Sequence, residues 1–420
     1  MINKIKSLFK NQSFLTLFSN FSYLSVIQVL GILFPLFTYP YIIRVLGAEI
    51  YGMIALAQAI IAYLVILINF GFNVSAVRRV SENRSDLLFI NRLYTSITLL
   101  KFFIFCISLL SLLLVYFICD DVKIIYIMIA SMGMCLSEVF YPIWLFQGLE
   151  QMKFITIISF LSQVVYLVLV FVLVHNADDY LMVPIATSVC GLLNSFASIL
   201  ILFKRGITFV SVPFKRLKTD FMESLPFFAS RLSAVVMERS NVLLIGAFFD
   251  YSMVSAYDIC TKVVKIFTTP FSLVAQVLYP HVAKNKNMGI VMKTYKVVIL
   301  SGIFISLTCV IFAPFIVSIL SGNQLGQAVP VLRYMIWYVP IVGMSYVMGS
   351  STLVVNGYVK EYNLSVIYSF LVYCLLIIFF WSFNEVNMFT MATAFLVPEL
   401  FTALYRRYIS YKRGIFNNSF

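Results

Sequence analysis

The sequence has little charge, little histidine and no phosphate-binding loop. Only 11% of its 420 residues are charged, whereas about a quarter are charged in a soluble domain, so water is not the main solvent of this chain. Two histidines, His175 and His281, argue against a histidine-based metal centre, and the seven cysteines occur singly, in a spacing that suits neither disulfides nor a metal. The chain also has no glycine-rich loop followed by lysine, so we expect neither nucleotide hydrolysis nor a cofactor.

Long apolar runs dominate the sequence. The composition is 62% hydrophobic with a mean hydropathy of +0.98, and the runs repeatedly reach the about 20 residues that a helix needs to cross a bilayer. They lack the alternation of polar and apolar residues that the strands of a membrane β-barrel show. The sequence therefore predicts an all-α polytopic membrane protein of about twelve transmembrane helices, with spans at 14–43, 51–72, 93–118, 122–147, 153–174, 181–203, 221–249, 253–282, 295–320, 329–355, 362–382 and 388–409.

The distribution of lysine and arginine predicts the orientation. Most of the 30 basic residues lie at the N-terminus, in the even-numbered connections and in the C-terminal tail, whereas only Arg44 and Lys123 lie on the opposite side. By the positive-inside rule, both termini face the cytoplasm. The net charge of +13 thus belongs to loops that face anionic membrane lipids, and we expect no nucleic-acid partner.

The connections are short, and the longest of them, at about 204–220, divides the spans into two groups of six. This division predicts two six-helix bundles, at 1–206 and 207–420. A weak internal repeat agrees with it, because the Gly-Ala and Tyr-Gly-Met-Ile-Ala of residues 47–55 are echoed at 246–256. Chance similarity between small-residue helix ends is the alternative.

Ionisable residues inside the spans are the candidate functional residues, because a charge at the centre of a bilayer costs about 2.5 to 3.5 kcal/mol and normally faces a cavity or a partner. The alternative is a structural role, in which Asp258 pairs with Lys262 at i, i+4 and Arg231 pairs with Glu238 across two turns or through water. That alternative still leaves Arg239 and Lys265 without local partners, and hence a positive interior that attracts anions. The candidates in the seventh and eighth spans are Arg231, Glu238, Arg239, Asp258, Lys262 and Lys265.

Four further charges are predicted to complete the lining of the cavity. They are Lys101 in the third span, Glu138 in the fourth, Arg333 near the outer end of the tenth and Glu399 in the twelfth. Lys101 and Arg333 have the alternative of extending to a membrane interface. Glu138 precedes Pro142 by four residues, so its carboxyl group has two candidate roles, serving a freed backbone group or carrying a coupling proton.

Several short strings resemble the O-antigen flippases of the Wzx type. They are YPIWLFQG at 141–148, TYPY at 38–41 with RVLG at 44–47, GFNVSA at 71–76 and LYP at 278–280. They lie in both halves, so the resemblance covers the whole chain. One departure is His281, where relatives commonly have arginine.

The resemblance implies two six-helix bundles around a central cavity that opens alternately to either side of the bacterial inner membrane. The implied substrate is an undecaprenyl-pyrophosphate-linked oligosaccharide, turned from the cytoplasmic to the periplasmic leaflet. An O-antigen polymerase and a chain-length regulator are the implied protein partners. Two alternatives are an exporter of small compounds and an O-antigen polymerase or ligase; the second needs a sizeable outer loop, so we expect no enzyme.

Overall fold

The computed structural model describes residues 12–118 and 121–416, and in this part of the chain the regular structure is helical throughout. A helix satisfies its own backbone hydrogen bonds, as hydrocarbon requires. The α-helices are α1 (Gln12–Leu46), α2 (Ala48–Asn69), α3 (Phe72–Glu82), α4 (Leu87–Ile118), α5 (Val122–Phe140), α6 (Ile143–Gly148), α7 (Met152–Leu173), α8 (Met182–Phe203), α9 (Phe214–Phe248), α10 (Tyr251–Asn285), α11 (Met288–Ser321), α12 (Ala328–Met335), α13 (Tyr338–Met348), α14 (Val359–Ser382) and α15 (Met388–Lys412). The predicted all-α fold is confirmed.

Each predicted span coincides with one of these helices or with an interrupted series of helical segments. Eleven helical segments in the described residues are long and apolar enough to cross a membrane. The seventh predicted span coincides with α9, which is 35 residues long but is not one of the eleven, since it carries charged residues from Lys215 to Arg239. Those side chains need protein or water around them rather than lipid.

The tenth span is broken into three pieces. After α12 and α13 the chain forms a π-helical turn, Gly349–Val354, before it reverses into α14. Such widened turns often occur at functional sites. Gly349 begins this turn, and a Cβ atom there would meet the guanidinium of Arg406 at 2.8 Å. The turn therefore leaves room for a buried charged side chain.

The chain forms two compact units. The first holds the described residues up to Leu46 together with Ala57–Val235, and the second holds Gly47–Leu56 and the described residues from Val236 onward. The predicted division into six-helix bundles at 1–206 and 207–420 stays a prediction.

The core of the first unit is built from the string YPIWLFQG. Tyr141 and Pro142 separate α5 from α6, and α6 buries Trp144 and Phe146 in a hydrophobic cluster with Phe72 of α3. A Cβ atom at Gly148 would lie 2.6 Å from the Cβ atom of Val80, so α6 lies directly against α3. This string therefore serves packing within the first unit.

The N-terminal half of α9 is fixed to α3 in the same unit. Arg79 forms an ion pair of 2.7 Å with Asp220, whose side chain is 1% exposed. The ring of Phe70 stacks on those of Phe221 and Phe228, with centroid separations of 4.3 and 4.4 Å. These contacts hold the start of α9, whose later residues carry the candidate charges.

A buried polar network joins four helices of the second unit. Asn241 of α9 donates from its side-chain amide to the hydroxyl of Tyr257 (2.9 Å) and to the carbonyl of Met391 (3.1 Å). Tyr373 of α14 donates its hydroxyl proton to the Asn241 carbonyl oxygen at 2.9 Å. Because Asn241, Tyr257 and Tyr373 are at most 3% exposed, the network has no contact with solvent and fixes α9 against α10, α14 and α15.

Candidate functional site

Three charged side chains of the second unit form what we call the Glu238 cluster: Glu238, Arg239 and Lys265. The Lys265 ammonium lies 3.4 Å from Glu238 Oε1, and the Arg239 guanidinium lies 3.6 Å from the same oxygen. The three side chains keep 50%, 36% and 71% of their surface exposed, respectively. One carboxylate thus faces two cations, and all three side chains are accessible.

The Glu238 cluster lies deep along its helices. Glu238 is ten residues before the end of α9 at Phe248, and Lys265 is fourteen residues after the start of α10 at Tyr251. At 1.5 Å per residue, these positions are about 15 Å and about 20 Å from the helix ends. Exposed charges at that depth need water, since hydrocarbon would cost each about 2.5 to 3.5 kcal/mol.

A second set, which we call the Asp258 triad, consists of Tyr51, Asp258 and Lys262. Lys262 pairs with Asp258 at 2.6 Å and donates to the Tyr51 hydroxyl at 2.6 Å, and that hydroxyl donates to Asp258 at 2.7 Å. The Asp258 side chain is 5% exposed and that of Lys262 is 21% exposed. The triad is closed, because each member bonds to both others. The i, i+4 spacing predicts the Asp258–Lys262 pair but not the contact with Tyr51.

The pairing in the Glu238 cluster corrects one expectation from the sequence. Arg239 and Lys265 were expected to lack local partners, but both have one in Glu238: Arg239 is its neighbour on α9, and the packing of α9 with α10 brings Lys265 to the same carboxylate. The alternative that pairs Glu238 with Arg231 stays a prediction. Arg231 itself is exposed and belongs to the first unit.

In the first unit, Lys101 of α4 is buried. It is 1% exposed, and its ammonium donates to the side-chain oxygen of Asn69 (2.9 Å) and to the backbone carbonyl of Glu138 (3.1 Å). A Glu138 carboxylate oxygen lies 3.7 Å away. Lys101 therefore does not extend to an interface, since helices α2 and α5 supply its partners inside the unit.

Glu399 lies at another polar position of the second unit. Its carboxylate hydrogen-bonds the side chain of Ser345 and interacts electrostatically with Arg406. Arg406 is 6% exposed; it donates to Ser345 and Ser365 and lies over the ring of Tyr362. The predicted candidate Arg333 lies apart from this group, exposed, with its Nε donating to the carbonyl of Val310 at 3.1 Å.

Two tyrosines, Tyr338 and Tyr346, lie near both Glu399 and Glu238. The Tyr338 ring stacks on Phe395 at 4.3 Å. The two carboxylates, which are far apart in sequence, thus belong to one polar region of the second unit.

Sequence reasoning missed Tyr51, Asn69 and Arg406. Arg406 lies near the end of the last span, where a basic residue is typical of the cytoplasmic tail. Asn69 carries no charge, so a search for ionisable residues does not select it. Tyr51 had a usable signal, since it lies in the internal repeat at 47–55 and aligns with Tyr251. The segments of that repeat contact each other: Ser255 donates to the Ala48 carbonyl, and a Cβ atom at Gly52 would overlap the Tyr251 carbonyl oxygen.

The chemistry that this arrangement allows is the binding of an anion. The Glu238 cluster carries two cations against one carboxylate, so its formal charge is positive, and its side chains are accessible. Lysine and arginine are the usual partners of phosphate oxygens. Among the described residues, no group of three or more His, Cys, Asp or Glu side chains is placed to hold a metal ion.

Comparison with known families gives a match over most of the chain. The family described as polysaccharide biosynthesis protein matches residues 17–286. A protein of Escherichia coli (strain K12) named "Putative O-antigen transporter" is 25% identical over 361 residues, which are 84% of this chain and 87% of that protein. A protein of the same name from Shigella dysenteriae is 25% identical over 342 residues, covering 80% and 85%.

Solved structures of transporters share the fold. A multidrug resistance MATE family transporter of the MOP superfamily, in an inward-facing conformation, aligns with a TM-score of 0.73 at 13% identity over 94% of this chain and 96% of its own. The lipid II flippase MurJ, in an inward closed conformation, aligns with a TM-score of 0.73 at 14% identity over 96% and 90%. At such identities the likeness concerns the fold alone.

Proposed function

Since the chain belongs to the polysaccharide biosynthesis protein family, we propose that it is a flippase for lipid-linked O-antigen repeat units. It translocates undecaprenyl-pyrophosphate-linked oligosaccharide from the cytoplasmic to the periplasmic leaflet by alternating access. The observation that carries this proposal is the similarity to two O-antigen transporters over at least 80% of the chain. The resemblance recognised in the short strings is confirmed by the family match.

The charges of the second unit support an anionic substrate. A pyrophosphate with a chain of sugar hydroxyls cannot cross hydrocarbon unaided, because each unsatisfied polar group costs several kcal/mol there. Arg239 and Lys265 offer accessible positive charge well inside their helices, which lowers the barrier for the headgroup while the polyprenyl tail remains in lipid. An exporter of organic cations would gain nothing from this excess of positive charge.

The proposal also covers the location, orientation and partners of the protein. The protein resides in the bacterial inner membrane with both termini in the cytoplasm, as the positions of its basic residues predict. It transports rather than catalyses, and it passes its product to an O-antigen polymerase and a chain-length regulator. The lining of the path by the ten candidate charges stays a prediction, and we propose Arg239 and Lys265 as the principal cations.

Deletion of the gene tests the proposal. We expect surface O-antigen to disappear while lipid-linked precursor accumulates on the inner leaflet, and we expect the wild-type gene to restore the surface polymer. The double variant Arg239→Ala, Lys265→Ala should restore less than the wild type at equal membrane abundance, measured by immunoblot. Lys218→Ala, which removes an exposed cation from the start of α9, is the matched control.

Two outcomes would contradict the proposal. Unchanged surface O-antigen in the deletion strain would show that the chain is not the flippase. Full restoration by the double variant would remove the cationic pair from the path.

A further inference from the structure

We propose that Glu238 is an internal counter-ion, which offsets one of the two positive charges of Arg239 and Lys265 when no substrate is bound and is displaced when a pyrophosphate binds these cations. This inference rests on the proposed function, because the displacing anion is the headgroup of the lipid-linked substrate. It concerns Glu238, a carboxylate that would otherwise have no place in a site for anions.

The convergence of both cations on one oxygen atom is the first argument. Glu238 Oε1 receives the Lys265 ammonium from α10 and the Arg239 guanidinium from its own helix. Two cations arranged around a single carboxylate oxygen are placed as they would be around a single phosphate oxygen. The carboxylate therefore occupies the position that a bound phosphate oxygen would take.

The looseness of these contacts is the second argument. The separations of 3.4 and 3.6 Å are long for ion pairs, and all three side chains are at least 36% exposed. Exposed ion pairs of this kind are weak, since water competes with each partner. An anion with two negative charges can therefore displace the single carboxylate.

The Asp258 triad provides a contrast on the same helix. Asp258 and Lys262 are 2.6 Å apart, Asp258 is 5% exposed, and the Tyr51 hydroxyl bonds to both. A pair so closed and buried holds its partners in the fold. Of the two carboxylate–lysine pairs of α10, only the one that involves Glu238 is open to exchange.

The counter-ion has a consequence for turnover. A site that binds the headgroup too tightly slows its own return to the empty state. A resident carboxylate limits that affinity, because the substrate must displace it on arrival and the carboxylate competes with the substrate before departure. Glu238 thus tunes the affinity of the site for pyrophosphate.

The test is a binding measurement on the purified full-length chain in nanodiscs of phosphatidylcholine, with inorganic pyrophosphate as the probe at fixed ionic strength. We expect Glu238→Gln to bind about three- to tenfold more tightly than the wild type, since two weak ion pairs no longer compete with the probe. Glu238→Ala should show a gain in the same direction. Both variants should keep their melting temperature, because Glu238 is half exposed.

Two carboxylate variants serve as controls. Glu82→Gln removes the partner of Arg78 in an exposed pair of 2.8 Å in the first unit, and it should leave pyrophosphate affinity unchanged. Asp258→Asn removes the carboxylate of the closed triad, and it should lower the melting temperature without raising the affinity. A gain confined to the Glu238 variants supports the counter-ion.

An affinity of Glu238→Gln equal to or weaker than that of the wild type would overturn the inference, as would an equal gain in Glu82→Gln. Failure of the proposed function gives a different result, because the deletion strain would then keep its surface O-antigen whatever the binding constants are. Loss of O-antigen on deletion, together with an unchanged affinity of the Glu238 variants, refutes the counter-ion alone.

Discussion

Replacement of Asn241 by leucine tests whether the buried polar network holds the second unit together. Leucine has nearly the shape of asparagine but neither donates nor accepts hydrogen bonds. The substitution removes the bonds to the Tyr257 hydroxyl and the Met391 carbonyl, and it deprives the Tyr373 hydroxyl of its acceptor. Helices α9, α10, α14 and α15 lose a common contact, while their apolar packing remains.

The expected destabilisation follows from the number of bonds. Hydrogen bonds between helices in membranes contribute about 0.6 kcal/mol on average, so the three bonds of Asn241 contribute about 2 kcal/mol. A buried group left without a partner costs about 1 to 3 kcal/mol, which raises the expected loss to about 3 to 5 kcal/mol. Adding Tyr373→Phe to Asn241→Leu removes one stranded hydroxyl and should recover about 1 kcal/mol.

Equilibrium unfolding in mixed detergent micelles, followed by tryptophan fluorescence, measures these differences. Ser233→Ala is the matched control, because Ser233 lies on α9 and donates only to the carbonyl of Ala229 in its own helix. We expect this control to change the free energy of unfolding by less than about 0.5 kcal/mol. A similarly small effect of Asn241→Leu, or a further loss on adding Tyr373→Phe, would refute the reasoning.

Three further predictions concern single side chains, each checked by the yield and the melting temperature of the purified protein. Gly52→Ala should prevent stable folding, because its Cβ atom would overlap a backbone oxygen, whereas Gly31→Ala, whose Cβ atom meets nothing within 4 Å, should fold normally; equal yields would contradict the close contact. Tyr51→Phe should cost about 1 to 3 kcal/mol, since it opens the Asp258 triad, and an unchanged melting temperature would argue against the triad. Lys101→Met should cost about 3 to 5 kcal/mol by leaving Glu138 without its cation, and joint replacement with Glu138→Gln should restore part of that loss.

The sequence predicted the helices well because hydrophobic length is a local property. A run of about 20 apolar residues identifies a span wherever it occurs. Hydrophobic length was less informative for α9, whose first half is polar. That half packs on α3 through the ion pair of Arg79 and Asp220. Arg79 and Asp220 are far apart along the chain, so no short stretch of sequence contains both partners.

The candidate site was predictable as a set of charges but not as a set of pairs. The i, i+4 spacing predicted the Asp258–Lys262 pair, since both residues lie on one face of one helix. It could not predict that Glu238 would serve both Arg239 and Lys265, because that depends on how α9 and α10 pack. The burial of Arg406 depends on a π-helical turn that no sequence pattern indicates.

The close contact between the two repeat segments has a consequence for protein engineering. Residues 47–56 belong to the second compact unit, where Gly52 lies against Tyr251 and Ser255 bonds to Ala48. A chimera that joins the first 206 residues of one family member to the remainder of another would therefore divide a matched surface between two parents. Hybrid flippases should be assembled with this ten-residue segment taken from the parent that supplies α10, so that exchanging a half of the protein means exchanging a discontinuous piece of its gene.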